Sequence, residues 1–474
     1  MAMSPSPSRR TLLTGAGLTG VGAVGALGAS AAAAAPPPAV RPAEVPIPGK
    51  ASMIGVPYTQ RDTVRIGLIG LGARGGSMAA GWAAVPGASV DAVCDIRADR
   101  ATRTADALEQ EGSPRPREFG GADTSFQEML DEVELDLVYI ATPWEFHYAQ
   151  GKAALEAGAN AVVELPVACE VDELWDLVAT SEKTGRHLSL SENTCYGRNE
   201  LAMMRAAHAG LFGDVTNGHG AYLHDLRPLL FDENYYTDHW RRTWHTTHNR
   251  SFYAMHGLGP IANAMDINRG DRITTIRATA TAPRALADYR ERFMPADHPS
   301  WEDTYIKGDL VTCLHETELG RVIRTEHDVS SPRPYSRINS LAGTRGAFED
   351  YVPVGESGAR IYTEPDHGDD VWRPFDSYRE EFDHWLWRTV GEEAEENGGH
   401  GGIDYLMQWR FVQCIRLGLV PDIDVYDSAT WCAPVPLSEE SINQGGAVLE
   451  MPDFTRGRWA EVRQGMDSRE KEMP

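Results

Sequence analysis

Residues 64–95 read VRIGLIGLGARGGSMAAGWAAVPGASVDAVCD, and no other stretch constrains the fold as tightly. An apolar run at 64–69 reads as a buried parallel strand. It opens into Gly70-x-Gly72-x-x-Gly75, a helical pattern follows, and a second apolar strand ends at Asp95. Gly70 permits a tight turn, Gly72 lets the backbone approach a pyrophosphate, and Gly75 lets the helix pack closely on the strand. The helix N-terminus then offers unpaired N–H groups to the anion. A lone GxGxxG also marks ordinary turns; set between a strand and a helix, with an acid about 20 residues on, it is a dinucleotide fingerprint. Gly70, Gly72, Ala73, Arg74, Gly75 and Asp95 are the expected cofactor contacts. Asp95 would accept ribose hydroxyls and repel a 2′-phosphate, which favours NAD over NADP; Arg97 nearby leaves that preference open.

From residue 63 strand and helix patterns alternate. Strands are expected at 64–70, 88–95, 135–141, 159–164 and 187–192, and helices at 74–84, 98–111, 145–157 and 171–184. Alternating βαβ units imply a doubly wound parallel sheet, whose ligands bind beyond the carboxyl ends of its strands. That rule adds Trp144, Glu145, Phe146, His147, Glu164, Leu165, Glu192 and Asn193 to the same crevice.

Past about residue 200 the character changes. Segments 215–223, 272–281, 305–315, 319–328, 337–342 and 346–351 are strand-like and rich in Thr, Ile and Val. They predict a second, open and largely antiparallel sheet, closed by helices at 375–390 and 403–417. The expected plan is a Rossmann domain at 63–198 followed by an α+β substrate domain at 199–474, whose exposed sheet could support a homodimer.

The chain carries 44 basic and 69 acidic residues, a formal net charge of -25 spread along its length. Such a surface repels nucleic acid and anionic lipid, and no basic patch with interleaved aromatics argues otherwise. The six cysteines are scattered with no CxxC pair, so neither a disulfide framework nor a zinc site is suggested. His239, His245 and His248 cluster, yet no matching carboxylate or cysteine spacing supports a metal. At the N-terminus, SRRTLL at 8–13 places twin arginines before a weakly apolar Gly/Ala stretch with small-residue cleavage sites at 29–31 and 33–35. This is the pattern of a twin-arginine export signal over 1–35, followed by a Pro-rich linker at 36–62. No other stretch is apolar and long enough to span a bilayer, so a periplasmic or extracellular protein is expected.

Several strings carry a more specific resemblance: TPWEFH (142–147), VVELPVA (162–168), SENTCYGR (191–198), GAYLHDLR (220–227), DHWR (238–241), YAMHGLGP (253–260), INRGD (267–271) and PRPYSRINSLAGTRG (332–346). In this order they resemble the family-109 glycosidases, NAD-dependent alpha-N-acetylgalactosaminidases of the Gfo/Idh/MocA oxidoreductase superfamily. Many superfamily dehydrogenases carry Glu-Lys-Pro after the fifth strand, whereas Leu165 stands between Glu164 and Pro166 here, as an apolar residue does in the glycosidases. Ala254-Met255 departs from the Pro-Thr that usually precedes His-Gly-Leu-Gly-Pro.

The resemblance implies a redox detour in place of two-carboxylate hydrolysis. Hydride passes from sugar C3 to NAD, the C2 proton is removed, the aglycone leaves C1, water adds, and the hydride returns. Such chemistry needs acid/base groups, for which His256 and Tyr196 are the candidates. His256 precedes a Gly-rich helix start that would favour neutral imidazole, and Tyr196 follows the sixth strand within reach of the nicotinamide end. Glu164 is implied at the nicotinamide ribose. Trp144 and His147 are implied to pack against and hydrogen-bond the cofactor. Tyr222, Arg241, Tyr253, His256 and Tyr335 are the implied contacts of a small carbohydrate or glycan. Two alternatives stand beside this reading: an exported sugar oxidoreductase with the same cofactor, and a non-catalytic binding protein on the same scaffold.

Overall fold

The computed structural model describes residues 52–351, 358–364, 371–463, 465 and 466. The expected export signal and most of the expected linker lie outside these residues. The first sheet contains β1 (Val64–Ile69), β2 (Ala88–Asp95), β3 (Arg117–Gly120), β4 (Leu137–Ile140), β5 (Asn160–Val163) and β6 (Leu188–Leu190). Every residue of β4, β5 and β6 is buried, which a strand achieves only when both faces of its sheet are covered. The covering helices are α1 (Ala73–Ala84), α2 (Ala98–Gln110), α3 (Ser125–Glu132), α4 (Trp144–Glu156) and α5 (Val171–Thr184). All pairings are parallel, in the order β3-β2-β1-β4-β5-β6, the doubly wound order with its switch point beside β1.

The chain then passes through a 3₁₀ turn (Asn193–Tyr196) and α6 (Arg198–His208) into a nine-stranded mixed sheet. Its strands are β7 (Val215–Leu223), β8 (Ile273–Ala280), β9 (Leu310–Thr317), β10 (Val322–Asp328), β11 (Asn339–Gly343), β12 (Gly346–Asp350), β13 (Arg360–Thr363), β14 (Arg373–Pro374) and β15 (Leu449–Glu450). The order is β14-β13-β12-β11-β7-β10-β9-β8-β15. Within it β7 and β10 run parallel, and the remaining pairs are antiparallel. Between β7 and β8 come α7 (Arg227–Leu230), α8 (Trp240–Thr247) and α9 (Ala254–Ala264); α10 (Ala285–Phe293) precedes β9.

Helix α9 lies directly on β7 because two glycines face each other: a Cβ on Gly257 would stand 2.3 Å from the Ala221 nitrogen, and one on Gly220 would stand 2.0 Å from the Gly257 carbonyl oxygen. The expected helix at 375–390 is two, α11 (Asp376–Phe382) and α12 (Trp385–Asn397), broken where the His384 side chain accepts the Leu386 N–H. The strand expected from 305 begins only at Leu310, because the N–H groups of Ile306 and Lys307 donate to the His245 carbonyl instead. Three further helices, α13 (Ile403–Leu417), α14 (Val425–Cys432) and α15 (Pro434–Asn443), return against both sheets: α13 meets α1, α14 lies along β6 and α15 along β8.

Candidate active site

The glycine turn forms as the fingerprint requires. Gly70 adopts φ +85°, where a Cβ would meet the Ala141 backbone at 2.8 Å, and a Cβ on Gly75 would strike the Gly70 carbonyl oxygen at 1.7 Å. Gly72 is different, since a Cβ there would find nothing nearer than Arg100 Nη1 at 3.7 Å. No side chain caps the start of α1. The open space in front of the turn belongs to a cavity of about 550 Å³ between α1 and α2, walled also by Arg103 and by Asp232, Asn234 and Tyr235 of a loop from the second domain. These residues fit a dinucleotide phosphate. Asp95 is buried, its Oδ2 accepting the Leu71 N–H (2.7 Å) and its Oδ1 the Arg97 N–H (2.8 Å), so it shapes the turn.

Several expected cofactor contacts are committed elsewhere. Arg74 does not reach for phosphate: its Nε donates to Glu164 Oε1 (2.9 Å), and its two Nη atoms donate to Asp404 on α13 (2.8 and 3.0 Å). Glu164 Oε1 also accepts the hydroxyls of Tyr139 (2.8 Å) and Ser191 (3.2 Å). Asp404 further accepts Asn193 Nδ2 (2.7 Å) and faces His400 Nδ1 (2.7 Å). Burial pushes the Asp404 carboxyl up, and the His400 hydrogen bond and the Arg74 charge overcome it, holding it well below the usual carboxylate range. His147 spends both ring nitrogens on backbone, Nδ1 on the Pro166 carbonyl and Nε2 on the Thr142 carbonyl, each at 2.7 Å. Both nitrogens thus face the loops after β4 and β5, where the neutral ring donates its one N–H to one of the two carbonyls, in place of the expected cofactor hydrogen bond. Burial holds its imidazole below the ordinary value against the pull of the two carbonyls. Phe146 is largely exposed, Glu145 accepts from Trp244 Nε1 (3.3 Å), and Leu165 is core.

Tyr196 also departs from expectation. Its ring is fully buried, and its hydroxyl turns to Asp422 Oδ2 at 3.5 Å, in the polar knot that Asp422 makes with Arg410. It is a core residue rather than a group of the crevice.

The sugar candidates, by contrast, converge. Tyr222 and Tyr253 stack with centroids 5.1 Å apart, and His256 stands edge-on to Tyr222 at 5.0 Å. The Tyr335 hydroxyl is 3.2 Å from His256 Nε2, and burial pushes that phenol up to about 12, so it is a neutral donor. Arg241 is buried, its guanidinium 4.7 Å from the Tyr253 ring, 5.2 Å from Trp144 and 5.3 Å from Tyr236. Its Nη1 donates to Tyr236 (2.9 Å), while Nε and Nη2 are buried with no partner. Trp144 thus belongs to the wall that joins the crevice to this aromatic cluster.

Two residues given no role by the sequence complete the site. Glu192, at the carboxyl end of β6, lies 2.8 Å from His256 Nδ1, and Asp404 anchors Arg74 and Asn193. Glu192 lies within SENTCYGR, but its partner is 64 positions on, and only the fold brings them together. Among the described residues no group of three His, Cys, Asp or Glu side chains is placed to hold a metal; His248 pairs with Glu439 and His239 with Arg242.

A glycine-turn crevice on a parallel sheet, joined to aromatic side chains and the Arg241 guanidinium of the second domain, defines a nucleotide-dependent protein of the oxidoreductase fold. Residues 64–192 match the oxidoreductase family model with an NAD-binding Rossmann fold, and NAD is its cofactor. Solved structures share the architecture: an NAD-binding oxidoreductase from Klebsiella pneumoniae (TM-score 0.63, 16% identity, 83% of this chain and 100% of that one) and levoglucosan dehydrogenase in complex with NADH and L-sorbose (TM-score 0.62, 16% identity, with the same coverage). Residues 196–461 match the model of the glycosyl hydrolase 109 C-terminal domain, and the chain belongs to glycosyl hydrolase family 109. A family-109 protein of Streptomyces coelicolor is 64% identical over 479 residues, covering 100% of this chain and 99% of that one. A Shewanella oneidensis protein named alpha-N-acetylgalactosaminidase is 38% identical over 425 residues, covering 89% of this chain and 91% of that one.

Proposed function

We propose that this family-109 hydrolase removes terminal N-acetylgalactosamine from glycosides through an oxidation, elimination, water addition and reduction cycle, and that it acts outside the cytoplasm after twin-arginine export. NAD, when bound, takes a hydride from the sugar ring and gives it back, so no net redox change accompanies turnover. The chain's own residues have proton work and orientation to do. His256 Nε2 and the Tyr335 hydroxyl, 3.2 Å apart, hold and move the proton at sugar C2, in the role expected of His256 and with Tyr335 in place of Tyr196. Tyr222 and Tyr253 offer ring faces to the sugar. The unpartnered N–H groups of Arg241 suit its acetamido carbonyl. Among the described residues the cation paired with Glu164 is Arg74, and Leu165 is buried apolar core.

The His256–Tyr335 pair carries this reading, since it sets a base and a neutral donor against the aromatic wall of the crevice. Purified protein would be given para-nitrophenyl N-acetyl-galactosaminides, and separately free sugars, with no NAD added. Nitrophenol release without NADH accumulation is the expected result. NADH build-up from free sugar without glycoside cleavage would refute it and favour a sugar oxidoreductase. Export is tested by fractionating cells that express the full chain, alongside a chain with both Arg9 and Arg10 changed to Lys. Equal export of the two would remove the twin-arginine route.

A further inference from the structure

We infer that Glu192 is a positioning residue for His256: its buried carboxylate holds the imidazole with Nδ1 protonated, so that Nε2 presents its lone pair to the Tyr335 hydroxyl. This rests on the proton-transfer role given to His256 above. Glu192 is fully buried, and its Oε1 accepts from Thr194 Oγ1 (2.6 Å) and the Thr194 N–H (3.3 Å) while standing 2.8 Å from His256 Nδ1. Glu192 Oε2 and His256 Nδ1 are both buried without an aligned hydrogen-bond partner. The carboxylate and the ring nitrogen are a complementary acceptor and donor, and a small rotation aligns Nδ1–H with Oε1 at 2.8 Å. Catalytic hydrogen bonds commonly tighten in this way only when substrate is bound.

The sequence around His256 is built for this approach. A Cβ on Gly259 would stand 3.1 Å from Glu192 Cγ, so the glycine three positions past His256 is what lets the carboxylate lie under the helix. The nearby guanidinium of Arg337 is directed at Glu200 instead, at 3.0 Å. Capping Thr194 would need only a neutral amide oxygen. A full carboxylate buried without Lys or Arg in contact is costly, and the group it can serve is the imidazolium that forms when Nε2 takes a proton. Nδ1 keeps its own hydrogen throughout, and no proton passes to Glu192. Other titratable groups around the pair are Tyr222, Tyr253, Tyr335, His224 and His327 about His256, and Cys195, Cys432, Glu200 and Arg337 about Glu192.

The test is Glu192→Gln in the full, NAD-loaded chain. Because Oε1 both accepts from Thr194 and faces Nδ1, the amide oxygen takes its place and keeps these contacts, so the substitution removes the counter-charge from behind the imidazole. The expected result is unchanged NAD content and little change in KM, with kcat lowered by about 10²- to 10⁴-fold, the range set by buried carboxylates that orient a catalytic imidazole. The acidic limb of the kcat profile should move to lower pH, because the imidazolium has lost its counter-charge. Glu192→Gln combined with His256→Ala should be no slower than His256→Ala alone. If His256→Ala leaves turnover intact, the role of His256 fails and this inference with it. If His256→Ala abolishes turnover while Glu192→Gln keeps the parent kcat and pH profile, Glu192 alone is overturned. Should the variant not fold, ¹⁵N-histidine spectra of the parent protein decide: the Nδ1–H form is expected, and an Nε2–H form would overturn the assignment.

Discussion

Replacing Gly257 by Ala tests whether the close seat of α9 on β7 sets the position of His256. The added Cβ would lie 2.3 Å from the Ala221 nitrogen, 2.4 Å from the Gly220 carbonyl carbon and 2.8 Å from the Ala221 Cα. All are backbone atoms, so no rotamer change relieves them, and the helix must withdraw by about 1 Å to restore ordinary contact. Overpacking of this kind costs about 1–3 kcal/mol, and the better helix propensity of Ala returns at most about 1 kcal/mol. A net loss of about 1–2 kcal/mol should lower the urea midpoint at constant slope. The catalytic effect should be larger, because about 1 Å of misplacement can cost about 10²-fold in rate, and His256 is the adjoining residue. Both quantities are read on one preparation, by urea unfolding and by release of nitrophenol. A Gly257→Ala protein with the parent's midpoint and the parent's turnover would refute the reasoning.

Two other substitutions probe buried charge. Arg241→Met should leave the unfolding midpoint within about 1 kcal/mol of the parent, since loss of the cation–π contacts is offset by relief of a desolvated guanidinium. KM should rise about 10- to 100-fold through loss of a charged hydrogen bond, and an unchanged KM would take Arg241 off the sugar. Lys307 is buried, with Nζ on the Gly308 carbonyl, and burial lowers it to about 8. Its charged form is disfavoured in the fold, so the penalty is present in full below pH 8 and fades as the pH rises from 8 toward the unfolded value. Lys307→Met should therefore stabilise the protein by about 1–3 kcal/mol at pH 7, with the gain shrinking through pH 8 to 10. Urea midpoints across that range check the sign, and a gain that grows with pH would contradict it.

The doubly wound half was legible because its signals are local: a glycine turn, an acid at the second strand's end, and strands apolar throughout. Helices buried on nearly every side were harder. All of α14 is buried, so it shows no amphipathic stripe, although the Asp424 and Asp427 capping box was a signal available in the sequence. The errors at the site share one cause. Arg74 pairs with a carboxylate 330 positions away, and Tyr196 turns to one 226 positions away, distances over which local pattern carries no information. Strings such as YAMHGLGP marked the right neighbourhood for His256, but the carboxylate behind its imidazole comes from another strand end.

The Arg74 anchor has a consequence for how the molecule is made. Asp404, which takes both Nη atoms of Arg74 and the amide of Asn193, belongs to a helix synthesised after every strand of both sheets except β15. A Rossmann half emerging from the ribosome holds the guanidinium of Arg74 against Glu164 alone, without the carboxylate that takes both its Nη atoms, and the side chain of Asn193 without its acceptor. The charge balance of the crevice is thus completed near the end of synthesis. A chain stopped before residue 403 is not a smaller working nucleotide domain but an unfinished one.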